Sequence, residues 1–401
     1  MSYDVRAVRA RFPALAAGFA HFDGPGGSQV PDTVAAAVAG ALTSPLANRG
    51  RITAAERAAD DIVLGARAAM ADLLGADPRG IVFGRSMTQL TYDFARTLAG
   101  TWAPGDEVVV TRLDHDANIR PWVQAAETVG AVVRWADFDP AGGELTPGHV
   151  AAQLTDRTRL VAVTGASNLI GTRPDVAAIA ALAHRAGALT YVDGVHLTAH
   201  TPVDVVGLGA DFYACSPYKF LGPHCGVVAA DPALLETLRP QKLVPATDAV
   251  PERFELGTLP YELLAGTTAA VEFIAGLGGT NEGSRRDRVL AGMVAVQAHE
   301  LSLRRRIEDA LAQLPGVLVH STAPLRTPTL LVSFAAHAPQ QAYRFLAERG
   351  INAPASSFYA LEASRRLGLG AGGGLRIGLA PYTDEGDVDR LLAGLRELLC
   401  G

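Results

Sequence analysis

Lysine is nearly absent from this chain of 401 residues: it stands only at Lys219 and Lys242, and the remainder of the 35 Lys and Arg residues are arginine. A codon preference for arginine accounts for most of that scarcity, yet chemistry that needs a primary amine on a side chain is left with two candidates. Cysteine is also scarce. Cys215, Cys225 and Cys400 make an odd count with no metal-ligand spacing, which argues against a disulfide framework. No run approaches the ~18 consecutive apolar residues of a membrane span, and Met1–Arg6 carries no apolar segment of the signal-peptide kind. The net charge is -6 and there is no polybasic run, which excludes the basic face of a nucleic-acid binder or of a protein held on an anionic membrane. A cytoplasmic protein acting on a small molecule is expected.

The chain is rich in something else. From about residue 81 to 230, short apolar runs (Ile81–Phe83, Val108–Thr111, Val132–Trp135, Leu160–Thr164, Leu189–Val192, Phe212–Cys215, Gly226–Ala229) alternate with segments of helical spacing such as Thr88–Ala99, Ile119–Val129 and Val176–Ala186. That alternation predicts an α/β fold with a mainly parallel sheet covered on both faces. Beyond Gly278-Gly279 the texture shifts to a long helix over about 285–314, strands near 316–320 and 329–334, a helix at 340–349, a strand at 375–380 and a final helix from 384. A large domain over 21–280 and a smaller α+β domain formed by 1–20 and 281–401 are expected.

Ligands of such sheets bind beyond the carboxyl ends of the strands. Two short segments begin there: Val192-Asp193-Gly194-Val195-His196, and Ser216-Pro217-Tyr218-Lys219. A lysine amine in a desolvated pocket forms an imine with an aldehyde, and a carboxylate nearby keeps a heterocyclic nitrogen protonated. Pyridoxal 5′-phosphate (PLP) needs both. Read singly, Asp193 is as well explained as a helix cap or turn residue, and Lys219 as a surface lysine; their joint position shifts the balance. Gly84-Arg85-Ser86-Met87-Thr88-Gln89, between a strand and a helix, supplies the amides and hydroxyls a phosphate requires, although Ser and Thr are also ordinary caps. His196 and His200 lie four apart, a spacing zinc ligands use on helices, but no third ligand is near, and no metal is expected.

Several motifs in order resemble the class V aminotransferase family, and most of all its cysteine desulfurase and selenocysteine lyase branch. They are His21–Ser28 (HFDGPGGS), Asp114–Trp122 (DHDANIRPW), Ser167–Thr172 (SNLIGT), Val192–His196, Ser216–Lys219, Phe254–Thr258 (FELGT) and Leu375-Arg376-Ile377. The resemblance implies a PLP fold of type I, like aspartate aminotransferase, and a homodimer. It implies Lys219 as the Schiff-base lysine, Asp193 as partner of the pyridine nitrogen, and His115 stacked on the ring. Asn168 would meet the ring hydroxyl, with His196 beside it. Met87 through its backbone, Thr88, Ser216 and Tyr218 would bind the phosphate, and Thr258 would reach the cofactor of the neighbouring subunit. Arg376 would clamp the carboxylate of an amino-acid substrate, with Tyr359 and Arg51 on the loops that shape its side-chain space.

The departures bear on reaction type. Where desulfurases carry a nucleophilic cysteine, Ala355-Ser356-Ser357-Phe358-Tyr359 brings Tyr359 nearest to that position. A phenol carries no persulfide. His196 stands where relatives have glutamine, and Asp116 where they have a second histidine. The expected activity is therefore an aminotransferase. The alternatives are a C–S or C–Se lyase without a persulfide, an epimerase, or a scaffold with the fold alone. Lys219, Asp193 and Arg376 together speak against the scaffold.

Overall fold

The computed structural model describes residues 3–400. Its strands are β1 (Ala20–His21), β2 (Ile81–Gly84), β3 (Glu107–Thr111), β4 (Val132–Ala136), β5 (Thr158–Thr164), β6 (Leu189–Asp193), β7 (Phe212–Cys215) and β8 (Gly226–Ala230). They continue with β9 (Val317–Val319), β10 (Thr329–Phe334), β11 (Ile351–Asn352), β12 (Ala355–Ser356) and β13 (Gly374–Gly378). Each apolar run expected between 81 and 230 is a strand of one seven-stranded sheet, in the order β2-β8-β7-β6-β5-β3-β4. The pairs from β4 through β7 are parallel, and β8 runs antiparallel to both of its neighbours, so β2 again points the way β7 does.

The central strands are mostly apolar because both faces are covered, whereas the edge strand β4 carries Arg134 and leaves Val132 exposed. Val109, Val161, Val163, Val192 and Tyr213 point into one core, and Val108, Val110, Leu160, Ala162, Tyr191 and Phe212 into the other, a strict alternation along each strand. A third core lies under the sheet β12-β13-β10-β9 and the parallel pair β1-β11, where Phe22, Leu330, Val332, Leu375 and Ile377 are buried with Leu303 and Ile307 of helix Arg285–Leu311. The N-terminal segment is tied there by Arg9, which donates to the Tyr382 carbonyl at 2.6 Å and pairs with Asp387 at 2.6 Å.

Helices Asp32–Thr43, Ala54–Leu74 and Tyr261–Gly276 have no counterpart in the sequence-based expectation. The second starts at a capping box, Thr53 with Glu56, a signal written in the chain. The first is alanine-rich and offers no apolar stripe for a period to be read from. Among the described residues no helix is long and apolar enough to cross a membrane.

Candidate active site

The carboxyl ends of β5, β6 and β7, the start of helix Met87–Ala99 and the middle of β13 open onto one cavity of about 540 Å3. Met87, Thr88, His115, Asn168, Asp193, His196, Ser216, Tyr218, Lys219, Tyr359 and Arg376 all line it. Thr258 and Arg51 do not. Thr258 is exposed, on a segment fixed from behind: Glu255 accepts two hydrogen bonds from Arg67 at 2.8 Å and one from the Phe83 amide at 2.9 Å. Arg51, expected on a loop that shapes the substrate space, does not line the cavity within one chain. Arg49 is the residue drawn inward, by Asp60 at 2.8 Å and Glu252 at 3.0 Å, and this leaves Arg51 exposed.

Lys219 sits in a short 3-10 turn directly after β7, and its Nζ donates to the carbonyls of Pro25 at 2.5 Å and Gly26 at 3.0 Å. Burial, with the positive Arg376 nearby, pushes its amine down to about 8. Asp193, the last residue of β6, is buried, and burial raises its carboxyl to about 6 against the Val195 amide that donates to Oδ1 at 3.0 Å. Gly194 follows because a Cβ there would lie 2.0 Å from the Tyr213 ring. His115 accepts the Ala117 amide on Nδ1 at 3.0 Å, so its proton is on Nε2, and burial pushes it down to about 4. Its ring is neutral and stacks on Tyr359 with centroids 5.6 Å apart.

Helix Met87–Ala99 starts at Ser86, which caps the Gln89 amide; the amides of Met87 and Thr88 have no intrahelical partner and face the cavity. Gly226 makes room for this helix start, since a Cβ would lie 2.2 Å from the Ser86 carbonyl carbon. With Ser216 and Tyr218 across the cavity, these donors suit a phosphate. Asn168 donates to the Phe358 carbonyl at 2.9 Å, while its Oδ1 is buried without a partner, an acceptor aimed at a hydroxyl. His196 Nε2 lies 3.0 Å from Thr327 Oγ1 and 3.1 Å from Thr329 Oγ1, and burial holds its ring far below its ordinary pKa. Behind it His200 bonds Glu300 at 2.8 Å, a pairing with no signal in the local sequence. These donors, acceptors and the lysine fit a phosphorylated, hydroxylated pyridine aldehyde.

Arg376, expected to clamp a substrate carboxylate, is already engaged. It is 2% exposed; Nη2 pairs with Asp23 at 2.6 Å, Nη1 donates to the Asn168 carbonyl at 3.1 Å, and the Phe358 ring lies 3.6 Å from Cζ. Asp23 was missed because nothing in HFDGPGG marks it beyond a turn. Phe358 and Tyr359 both take positive φ, 50° and 58°, where bulky residues are strained. Two hydrogen bonds hold them there: Asn168 to the Phe358 carbonyl, and the Asp116 amide to the Tyr359 carbonyl at 2.7 Å.

A sequence model of the class V aminotransferase family matches residues 20–391. An uncharacterized protein of Mycobacterium tuberculosis is 34% identical over 99% of this chain and 100% of its own length. An aminotransferase-like protein of Gibberella zeae is 31% identical, covering 99% of both chains. Among solved structures, the cysteine desulfurase CsdA from Escherichia coli superposes with a TM-score of 0.88 at 29% identity over the full length of both.

Proposed function

The chain belongs to the class V aminotransferase family, and from that membership we propose that it is a PLP-dependent enzyme that moves the amino group of an amino-acid substrate. The observation that carries this reading is that a half-buried, partly neutral lysine and a buried aspartate line one cavity, whose substrate side holds Tyr359 and no thiol. PLP, when bound, supplies an aldehyde and an electron sink. Lys219, near 8, has a fraction of neutral amine at neutral pH to engage that aldehyde. With its amine free, Lys219 would be the base that takes up a proton from the substrate Cα. Asp193 holds the proton of the ring nitrogen; a cationic partner relieves the burial cost that now raises its carboxyl. His115, neutral, covers the ring, and Asn168 Oδ1 accepts from the ring hydroxyl with His196 beside it. Thr88, Ser216, Tyr218 and the first amides of the helix take the phosphate. Arg376 receives the substrate carboxylate, and Thr258 reaches the partner site of a homodimer.

Products settle the reaction. Holoenzyme incubated with a panel of L-amino acids and 2-oxo acids is expected to transfer the amino group to the oxo acid, with no turnover when the oxo acid is left out. The similarity to a cysteine desulfurase along the whole chain supports a second reading, a lyase that needs no enzyme persulfide. Alanine or pyruvate released from a cysteine-type substrate without an oxo acid would select it.

A further inference from the structure

Arg376 lies at the inner end of the cavity, and a buried guanidinium without a counter-charge is costly. The chain provides the counter-charge itself. Asp23 sits in the turn that follows β1, and its backbone is bolted beside β13: the Gly378 amide donates to the Phe22 carbonyl at 2.8 Å, and Asp23 makes a bridge to Gly378. That bridge sets Asp23 opposite Gly378, two positions along β13 from Arg376, within reach of its guanidinium. Glycines let the turn close this tightly. A Cβ on Gly378 would lie 2.1 Å from Pro25, one on Gly24 2.4 Å from the Leu379 carbonyl oxygen, and one on Gly26 2.2 Å from Asp23 Oδ2. The carboxylate thus occupies a cradle built around it, half open to the cavity, with its side chain 31% exposed.

A carboxylate is bound best by two parallel N–H bonds from one edge of a guanidinium. Of its five N–H groups, one on Nη1 goes to the Asn168 carbonyl and one on Nη2 to Asp23, while Nε is buried and has no partner. Nε and Nη2 share an edge. A substrate carboxylate arriving on that edge finds Nε free and Nη2 already bonded to Asp23, with a second negative charge beside it in a water-poor site.

We propose that Asp23 is an internal stand-in for the substrate carboxylate: it holds Arg376 while the site is empty and competes for Nη2 when an amino acid arrives, which sets substrate affinity. This rests on the reading above that Arg376 receives the substrate carboxylate. It has a use in an exchange reaction, where each product leaves with a carboxylate of its own. A competitor already seated beside the clamp keeps the guanidinium paired as one acid departs and the next enters. The same turn accepts the Lys219 amine through Pro25 and Gly26, so one segment caps both cationic groups of the site.

The test uses PLP-loaded enzyme and titrates glycine, with glycinamide as the counterpart that lacks a carboxylate, following the cofactor absorbance. Asp23→Asn keeps an acceptor for Nη2 and removes the charge; Asp23→Ser is measured alongside as a second way to remove it without emptying the turn. Glycine is expected to bind roughly tenfold more tightly in both variants, the scale of removing a like charge beside the bound carboxylate, with glycinamide unchanged. Glycine binding that is unchanged or weaker in the variants, glycinamide tightening in parallel, or no response from any of these proteins overturns the proposal. Arg376→Ala separates the two claims. If it leaves glycine affinity intact, the carboxylate assignment itself fails; if it abolishes glycine binding while the Asp23 variants bind as wild type does, only the competition fails.

Discussion

At the cofactor end of the cavity, Asp193, Ser216 and Lys219 come from the ends of neighbouring strands in one sheet, and each lies within a few residues of the run that places it. At the substrate end, Asp23 and Arg376 meet across 353 positions, and Phe358 and Tyr359 are held in strained backbone by contacts with two other segments. The first end is rigid because the strands that build it are buried on both faces. The second is assembled by pairings made late in the chain, through a turn and a loop. Chemistry common to a family belongs on the first, and substrate choice on the second.

The largest effect that would break this division is at Lys219. Replacing it by alanine is expected to cut turnover by roughly 10²–10⁴-fold, the range for loss of a positioned acid–base group, and to abolish covalent capture of PLP by borohydride. Label found on Lys242 in the unaltered protein would remove the cofactor end from its place. The same lysine gives a pH test. Capture requires the neutral amine, whose pKa burial has lowered to about 8, so capture by the apoprotein is expected to speed up as pH rises from 6 and to level off above about 9. A profile still climbing toward the ordinary lysine range would show that the pocket does not desolvate the amine.

How much of this was legible in the chain follows the same division. Seven apolar runs gave seven strands because a buried parallel strand has one pattern, and Asp193 and Lys219 follow two of those runs directly. Thr88 and Ser216 were visible for the same reason. Asp23 was not, since its partner is fixed by an isolated bridge between Asp23 and Gly378 of β13, far apart in the chain. The stacking of Tyr359 on His115 was equally hidden, because positive φ at two aromatic residues runs against local preference and is stabilised only from outside the loop.

Next in size is Asp193. Asp193→Asn is expected to lower turnover by roughly 10²–10³-fold, since an amide cannot hold the ring proton by charge. Stability should move the other way in the apoprotein. The folded carboxyl titrates near 6 against an ordinary 3.8, so the native state keeps its proton over that window and loses stability as pH rises through it. The gap corresponds to a penalty of up to ~3 kcal/mol above pH 6. Apo Asp193→Asn should therefore melt above the apo wild type at pH 8, and the two should converge toward pH 4. Adding PLP should stabilise the wild type more than the variant. An apo variant that melts lower at pH 8 would mean the carboxylate is already compensated.

The smallest effect sharpens the comparison most, because it asks whether any thiol serves the substrate end. Cys215, at the end of β7, and Cys225, just before β8, are both buried, and burial pushes the Cys225 thiol up to about 11 and that of Cys215 well above its ordinary range. Thiols so placed are protonated and inert, the reverse of the depressed pKa and access a sulfur-accepting nucleophile needs. Cys225 also faces Thr267 across 3.5 Å on the helix Tyr261–Gly276, and no cysteine lines the cavity. Cys400, the exposed one, closes the last helix. The triple variant Cys215→Ala, Cys225→Ala, Cys400→Ser should therefore keep its PLP-dependent activity within about twofold, losing ~1–3 kcal/mol of stability at the two buried sites. No protein-bound persulfide should form with L-cysteine. A stoichiometric persulfide on Cys225, lost together with activity in Cys225→Ala, would require the segment before β8 to open onto the cavity and would return sulfur chemistry to the substrate end. If instead Tyr359→Phe changes which amino acids are accepted while the cysteine-free enzyme does not, the loop that holds Tyr359 in its strained conformation is the element that selects the substrate.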